Sequence, residues 1–506
     1  MKTTNRLLLG TAAGLMAASG AQAADMPLKA KPVQFVKICT LYGDGYYYIP
    51  GTDTCIKIGG IVQLDVGWNA AGARNPPYTG TQGAQDRTVS QLSSRARGNV
   101  AMDTRTNTQY GTLRTLTSLH FQNENQTESF NLQRGFIQWA GWSFGRMQSF
   151  ADTWAFNDPY INLETGQANS DTGANGVNSI AYTFDFGGGN TMTFGADERR
   201  TKSLTNLSVA TALKVGAEPS DFHQGESWPD VYLNLRTNQA WGYAAVTGGA
   251  HNVNATYYSG NGTGPFAGFT ACGQASTTLC GHPGDKVGYY VQGGAELKLP
   301  MLGPGDIVGG TARYSVGASG FGGGGQLSSP SLFNSGNNLA VGWMSDGVFV
   351  NGSGIELTTI WTVGAGYVHY WSPTFATSIG GNYANISYDS TATSYFAGAL
   401  CSGAAGANGA TAQSAVSFTP GGVANNCSPN WHYLELGSGA RWTPLPGLSF
   451  AVEALYLQVW SGFKGTGTIN GSAPGARPTG TYNISNQNIF SGFFRVQRRF
   501  NSGGSE

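Results

Sequence analysis

Charge is scarce in this chain. Of 506 residues only 11% are Asp, Glu, Lys or Arg, and the two signs balance at 28 each. A balanced, charge-poor chain offers no basic face to nucleic acid, so no nucleic-acid partner is expected. Unbroken runs of about 18 apolar residues are also missing, which excludes a membrane-spanning helix. Cys is limited to six residues. None has CxxC spacing, which argues against redox catalysis and zinc. The six His are His120, His223, His251, His282, His369 and His432. They are scattered, with no HxxxH or HExxH spacing, so neither a metal nor a cofactor is expected. His223 and His282 fall in long connections and read as solvated. No GxSxG elbow occurs. The Gly clusters GPGD (Gly303–Asp306) and GGGN (Gly187–Asn190) read as turns, because no helix follows as in a phosphate loop. An enzyme is not expected.

Gly, at 76 residues, and aromatics, at 12%, are plentiful. Disordered chains lack aromatics, so composition points to a folded protein. Few charges, many Gly and aromatics, and no spanning helix fit an outer-membrane β-barrel, apolar outside and polar inside, and equally a large secreted β protein. The N-terminus agrees. Lys2 and Arg6 precede the apolar stretch Leu7 to Ala18, and Ala21-Gln22-Ala23 has the form of a cleavage site. Residues 1–23 therefore read as a secretory signal, with the mature chain starting at Ala24. The mature part carries an acid excess of about two, since the leader holds two bases and no acid. In an exported chain the Cys residues read as local disulfides, Cys39 with Cys55, Cys272 with Cys280 and Cys401 with Cys427, although six Cys allow fifteen pairings. The Tyr46-Tyr47-Tyr48 run reads as packing beside the first of these.

Alternation begins at Ile58. Ile58, Gly60, Val62, Leu64, Val66 and Trp68 share one face, with Gln63 and Asp65 on the other. Period two with one polar face is a β-strand between two environments. The pattern recurs in Lys286–Leu299 and Trp431–Trp442. Strands are expected near 56–68, 90–103, 111–121, 130–140, 143–150, 178–186, 191–197, 229–236, 241–258, 286–299, 306–317, 356–370, 374–388, 430–443, 448–464 and 488–500. Short turns, Thr104–Tyr110 the first, alternate with long loops: Asn69–Val89, Gln122–Ser129, Ala151–Val177, Glu198–Trp228, Ser259–Asp285, Ala318–Ile355, Asp389–Pro429 and Gly465–Gln487. Short connections on one side and long ones on the other describe an all-β, antiparallel transmembrane barrel of about sixteen strands. Asp389–Pro429 and Ala318–Ile355, low in charge, read as passive, mobile loops. On the last strand Phe490, Phe494, Val496 and Phe500 oppose Arg495, Gln497 and Arg499. Arg498 falls on the apolar face. The barrel is expected to end at Phe500, leaving a tail over 501–506.

One connection stands apart. Arg146 to Asn178 has neither helical nor strand periodicity, and after Arg146 it carries Asp152, Asp158, Glu164 and Asp171 but no base. A long unpatterned connection in a compact fold is usually functional or disordered. Residues 151–177 are expected to fold into the barrel and narrow it. Arg95, Arg97, Arg114, Arg134 and Arg146 on the preceding strands form a basic wall facing it. Wall and loop together would set a field across a constriction, and each Arg could also hold the loop down.

Three stretches, VKICTLYGDGYYYIPGTDTCIKIGG (Val36 to Gly60), RGFIQWAGWSFGRMQSFAD (Arg134 to Asp152) and FFRVQRRF (Phe493 to Phe500), resemble the general porins of alphaproteobacteria. The resemblance implies a sixteen-stranded barrel, a homotrimer in outer-membrane lipid, and a third extracellular loop folded into the lumen. It implies a water-filled pore for passive diffusion of small hydrophilic solutes and ions. The tail after Phe500, the length of Asp389–Pro429 and the outer-loop Cys pairs depart from the family pattern. Alternatives are a solute-specific channel, with Tyr290 and Tyr433 facing inward, and a barrel-anchored adhesin.

Overall fold

The computed structural model describes residues 37–69, 92–124, 126–153, 172–173, 176–200, 203–208, 221–258, 280–323, 331–335, 338–401, 417–419, 427–469 and 480–501. The signal segment and the tail beyond Asn501 lie outside them. Among the described residues sixteen strands form one antiparallel barrel. They are β1 (Thr54–Trp68), β2 (Leu92–Thr108), β3 (Gly111–Glu124), β4 (Thr127–Trp139), β5 (Trp142–Met147), β6 (Val177–Asp185), β7 (Asn190–Asp197) and β8 (Asp230–Gln239). Then follow β9 (Gly242–Val253), β10 (Lys286–Lys298), β11 (Ile307–Val316), β12 (Thr359–Ser372), β13 (Phe375–Ser387), β14 (Trp431–Leu445), β15 (Leu448–Trp460) and β16 (Gln487–Phe500). Each pairs with the next, and β16 closes on β1 from Gly60↔Phe500 to Trp68↔Gly492. Closure leaves no open edge, as a barrel in lipid requires.

The alternation is inside out relative to a soluble protein. Gln63, Asp65, Arg95, Asn99, Asp103 and Gln497 point inward and are buried, whereas Val62 (61% exposed) and Ile379 (63%) look outward. Water would penalise such an outer surface; lipid favours it. Aromatics bound the apolar band. Trp139, Trp142, Trp241, Trp371, Trp442 and Phe500 are exposed near the short-turn ends, and Trp68, Phe121, Phe130, Trp361 and Phe490 near the long-loop ends. Trp361 and Trp371 both lie on β12. Ten residues span about 33 Å along a strand, or about 25 Å of barrel height at a 40° tilt, which is the height of such a band. Arg498 lies at the short-turn rim, where it donates to the Pro446 carbonyl. A cation there costs about 0–1 kcal/mol, far less than at mid-plane.

The turns follow expectation with two corrections. β2 runs on to Thr108, so the first turn is only Gln109–Tyr110. The expected long loop Gln122–Ser129 is absent, because β3 and β4 extend until only residues 125–126 join them. In the GGGN turn Gly187, Gly188 and Gly189 all have positive φ (77°, 61° and 78°), a conformation open to glycine at no steric cost. The remaining long connections are L1 (69–91), L3 (148–176), L4 (198–229), L5 (254–285), L6 (317–358), L7 (388–430) and L8 (461–486).

These loops are not passive, contrary to the sequence expectation for L6 and L7. Residues 331–335 and 338–342 of L6, 417–419 of L7, and 465–469 and 480–484 of L8 form a five-stranded sheet. Leu204–Asn206 of L4 pairs in parallel with Gly347–Phe349 of L6. Trp343, Met344, Val348 and Val350 of L6 pack on inward-facing Ile360, Ile386, Trp431, Tyr433, Leu457 and Val459. The Trp343 carbonyl accepts from Trp431 Nε1 (2.7 Å) and Tyr388 Oη (2.8 Å). The main hydrophobic core thus lies inside the barrel, under the loops.

Two disulfides are described, Cys39–Cys55 (Cα–Cα 6.1 Å) and Cys401–Cys427 (6.2 Å). Cys280 is also disulfide-bonded; its expected partner Cys272 lies outside the described residues. Tyr46 is buried against Cys39 and Cys55, with Tyr42 and Tyr48 packed alongside.

Candidate functional site: a lumen narrowed by two loops

The wall is set by strand register. Asp65 on β1 lies opposite Arg95 on β2 and Arg495 on β16. Its carboxylate accepts from Arg95 Nε (3.0 Å) and Nη2 (2.8 Å), and from Arg495 Nε (2.5 Å). Glu124 on β3 lies opposite Arg95, so a second acid stands beside this cluster. Two residues along β2, Arg97 donates to Gln122 Oε1 (2.8 and 2.6 Å). Arg97 is half-buried. Arg95 and Arg97 thus stand with Asp65 and Glu124 near the loop end of the wall.

The other three arginines differ. Arg134 is 2% exposed and donates to the Gly173 carbonyl of L3 and to the Gln133 carbonyl. It pins the returning arm of the loop. Arg114 is bonded to Asp103 (2.9 Å) and Gln138 (3.1 Å), and Arg105 shares the same carboxylate (3.2 Å). That cluster lies toward the short-turn end, away from the loop. Arg146 is opposite Gly135 and Asn178. It shares the parity of exposed Trp142 and Phe144, whereas Ser143 and Met147 face inward. Gly145, with φ of 121°, interrupts the alternation just before it, and Arg146 is half-buried and close enough to Arg134 for the two charges to act on each other.

Of L3, residues 148–153, 172–173 and 176 are described, and this root is tightly built against the inner wall. The Ala151 carbonyl accepts from Gln292 Nε2 on β10, five strands round the barrel from β5. Phe150 and Ala151 pack with Tyr232, Tyr290 and Phe321. Asp152 is not a free lining charge. Its Oδ1 accepts from Arg200 Nη1 (2.8 Å), its Oδ2 accepts from Thr172 Oγ1, and both members of the ion pair are at most 5% exposed. Asp152 thus anchors the loop. Asp158, Glu164 and Asp171 lie outside the described residues.

Arg200, missed in the sequence reading, organises this region. It also contacts Asp197 (3.1 Å), and its backbone N–H donates to Asp230 (2.8 Å). Its guanidinium lies 4.3 Å from the Phe321 ring centroid, and Phe321 stacks on Tyr290 at 3.8 Å. Phe321 belongs to a short helix of L6, α1 (Ser319–Gly322). L6 is therefore a second inward loop beside L3. Thr362 Oγ1 and Tyr433 Oη donate to the Gly322 and Gly323 carbonyls. Tyr290 and Tyr433, 3% and 0% exposed, are covered rather than lining water. The available signal was the run Ala340–Val350, with Trp, Met and Phe close together, which no solvated loop needs.

Of the two histidines expected in solvent, His282 is exposed and His223 is not. His223 is buried, not solvated, and meets His251 of β9 near Asp346 of L6.

A search for relatives agrees with this architecture. Porin Omp2b of Brucella abortus (strain 2308) is 32% identical over 261 residues, 47% of this chain and 63% of that porin. The chain thus matches under two thirds of the length of that relative. A putative outer membrane protein, y4fJ of Sinorhizobium fredii (strain NBRC 101917 / NGR234), is 33% identical over 187 residues, 36% of this chain and 50% of its own length. Among solved structures, the outer membrane channel DcaP of Acinetobacter baumannii superposes with a TM-score of 0.56 at 14% identity, covering 90% of this chain and 99% of that one. That identity level supports the fold alone. The model of the porin subfamily matches residues 25–493, so the chain belongs to the porin subfamily.

Proposed function

We propose that the chain forms a water-filled pore in the outer membrane for passive diffusion of small hydrophilic solutes and ions. The observation that carries this reading is the closed barrel with a polar inner face and an apolar, aromatic-bounded outer face. No reaction is assigned to it. Selectivity is set where L3 and L6 approach the wall of Arg95 and Arg97. Fields between charges decay over about 8 Å at physiological salt, so only a narrow passage feels them. Asp158, Glu164 and Asp171 would supply the opposing charge, with Arg134 and Asp152 as the loop's fasteners. Trimerisation is proposed from the family resemblance. Oligomers stable in detergent that fall to single barrels on heating support it; single barrels before heating sink it.

Liposome swelling across solutes of rising size tests the general-pore reading. A smooth fall of rate with size supports it, and one solute far off the trend supports a specific channel. An adhesin would give no conductance steps.

A further inference from the structure

The fold joins three acceptor atoms that local spacing keeps far apart in sequence. His251 Nδ1 is 2.7 Å from Asp230 Oδ1, and His223 Nδ1 is 2.8 Å from Asp221 Oδ1. Ionised carboxylates only accept, so each ring places a proton on Nδ1. In the neutral ring each Nε2 carries a lone pair, and both lie by Asp346 Oδ2, at 3.2 Å from His251 and 3.5 Å from His223. Asp346 Oδ1 is engaged elsewhere, accepting from Ser319 N (2.8 Å) and Oγ (2.6 Å). His223 Nε2 is buried without a hydrogen-bond partner. The three side chains are at most 1% exposed, and their ligand atoms lie within 4.8 Å of one another. Two imidazole lone pairs converging on a carboxylate oxygen call for a cation between them.

We propose that His223, His251 and Asp346 form a binding site for a divalent transition metal, Zn2+ by chemistry. Metal–nitrogen bonds of about 2.0–2.1 Å at tetrahedral angles separate neighbouring ligand atoms by about 3.3 Å, near the 3.2 and 3.5 Å of the two nitrogen–oxygen pairs. Two imidazoles select against Mg2+ and Ca2+, which take oxygen ligands. Asp230 and Asp221 complete a carboxylate–histidine–metal pattern on both rings. The site joins β9, L4 and L6, so a bound ion clamps two loops to the barrel wall. No sequence motif marked it, because its ligands are 28 and 95 residues apart.

The test uses the full-length protein, refolded and stripped of metal in detergent. Equilibration with micromolar ZnCl2, then gel filtration and elemental analysis, is expected to give one Zn2+ per chain, unaffected by excess Mg2+. His223→Gln and His251→Gln should each weaken binding at least tenfold, and Asp230→Asn by about 10- to 100-fold. Background zinc in the wild type overturns the site and leaves a shared proton on His251 as the cation. Unchanged binding in both His variants overturns it equally. If the variants do not fold, Co2+ absorption of the wild type decides. An intense visible band supports a low-coordinate histidine site, and a weak octahedral aquo-type band contradicts it.

Discussion

Arg95, Arg97, Arg114 and Arg134 have the same side chain and the same inward parity, yet their partners give them separate tasks. Arg97 is half-buried and donates to Gln122, whereas Arg134 is buried and donates to the L3 backbone. Neutralising Arg95, Arg97 and Arg134 together shifts the reversal potential toward cations in planar bilayers, and Arg97→Gln alone carries most of that shift. Equal reversal potentials in parent and variants would remove these residues from the selectivity filter. Arg114→Gln, far from the loop, leaves the potential unchanged. At the opposite rim, Asp306 accepts from Tyr367 Oη (2.7 Å) and the Tyr370 N–H (2.9 Å), with His369 Nδ1 at 2.8 Å. Burial would raise its pKa, but the Tyr370 N–H, His369 and Tyr367 together hold the carboxyl below the usual range. A depressed native pKa gives a stability increment intact above the unfolded value of about 3.9, lost as pH falls through the lower native value. Thermal unfolding of the parent in detergent should therefore weaken below about pH 4, and Asp306→Asn should lack that component. Residue roles of this kind were only partly legible in the sequence. Parity placed Arg95, Arg97, Arg114 and Arg134 inward correctly. It could not tell which partners each would hold, and it missed Arg200, whose partners come from L3, β7 and β8.

At the level of elements, all sixteen strands were legible because lipid and lumen impose period two along their length. The reading failed where a third environment intervenes. Ile360, Ile386, Trp431, Leu457 and Val459 are inward yet apolar, because L6 covers them. Low charge in L6 suggested mobility, but it reflects burial. Trp343→Ala removes a fully buried side chain from that core and should cost about 3–5 kcal/mol, read as a lower unfolding midpoint in detergent. A change within error would mean that L6 is not packed as described. The same logic applies to L3. Arg200→Met leaves Asp152 and Asp197 as buried unpaired acids, a loss of about 3–5 kcal/mol that falls on the loop root.

For the whole molecule, composition suited an outer-membrane barrel and a secreted β protein alike; long strands and the alternation of short with long connections separated the two. The depth of loop insertion was not legible, because it depends on contacts between L3, L4, L6 and strands distant in sequence. The central claim is that a closed barrel forms an aqueous pore whose width is set by loops fastened inside it. Single-channel recording of the purified protein in planar bilayers, beside Arg200→Met, tests it most directly. The account predicts discrete conductance steps for the parent and larger, noisier steps once the L3 root is released. Absence of steps in the parent, or identical steps in the variant, would contradict it.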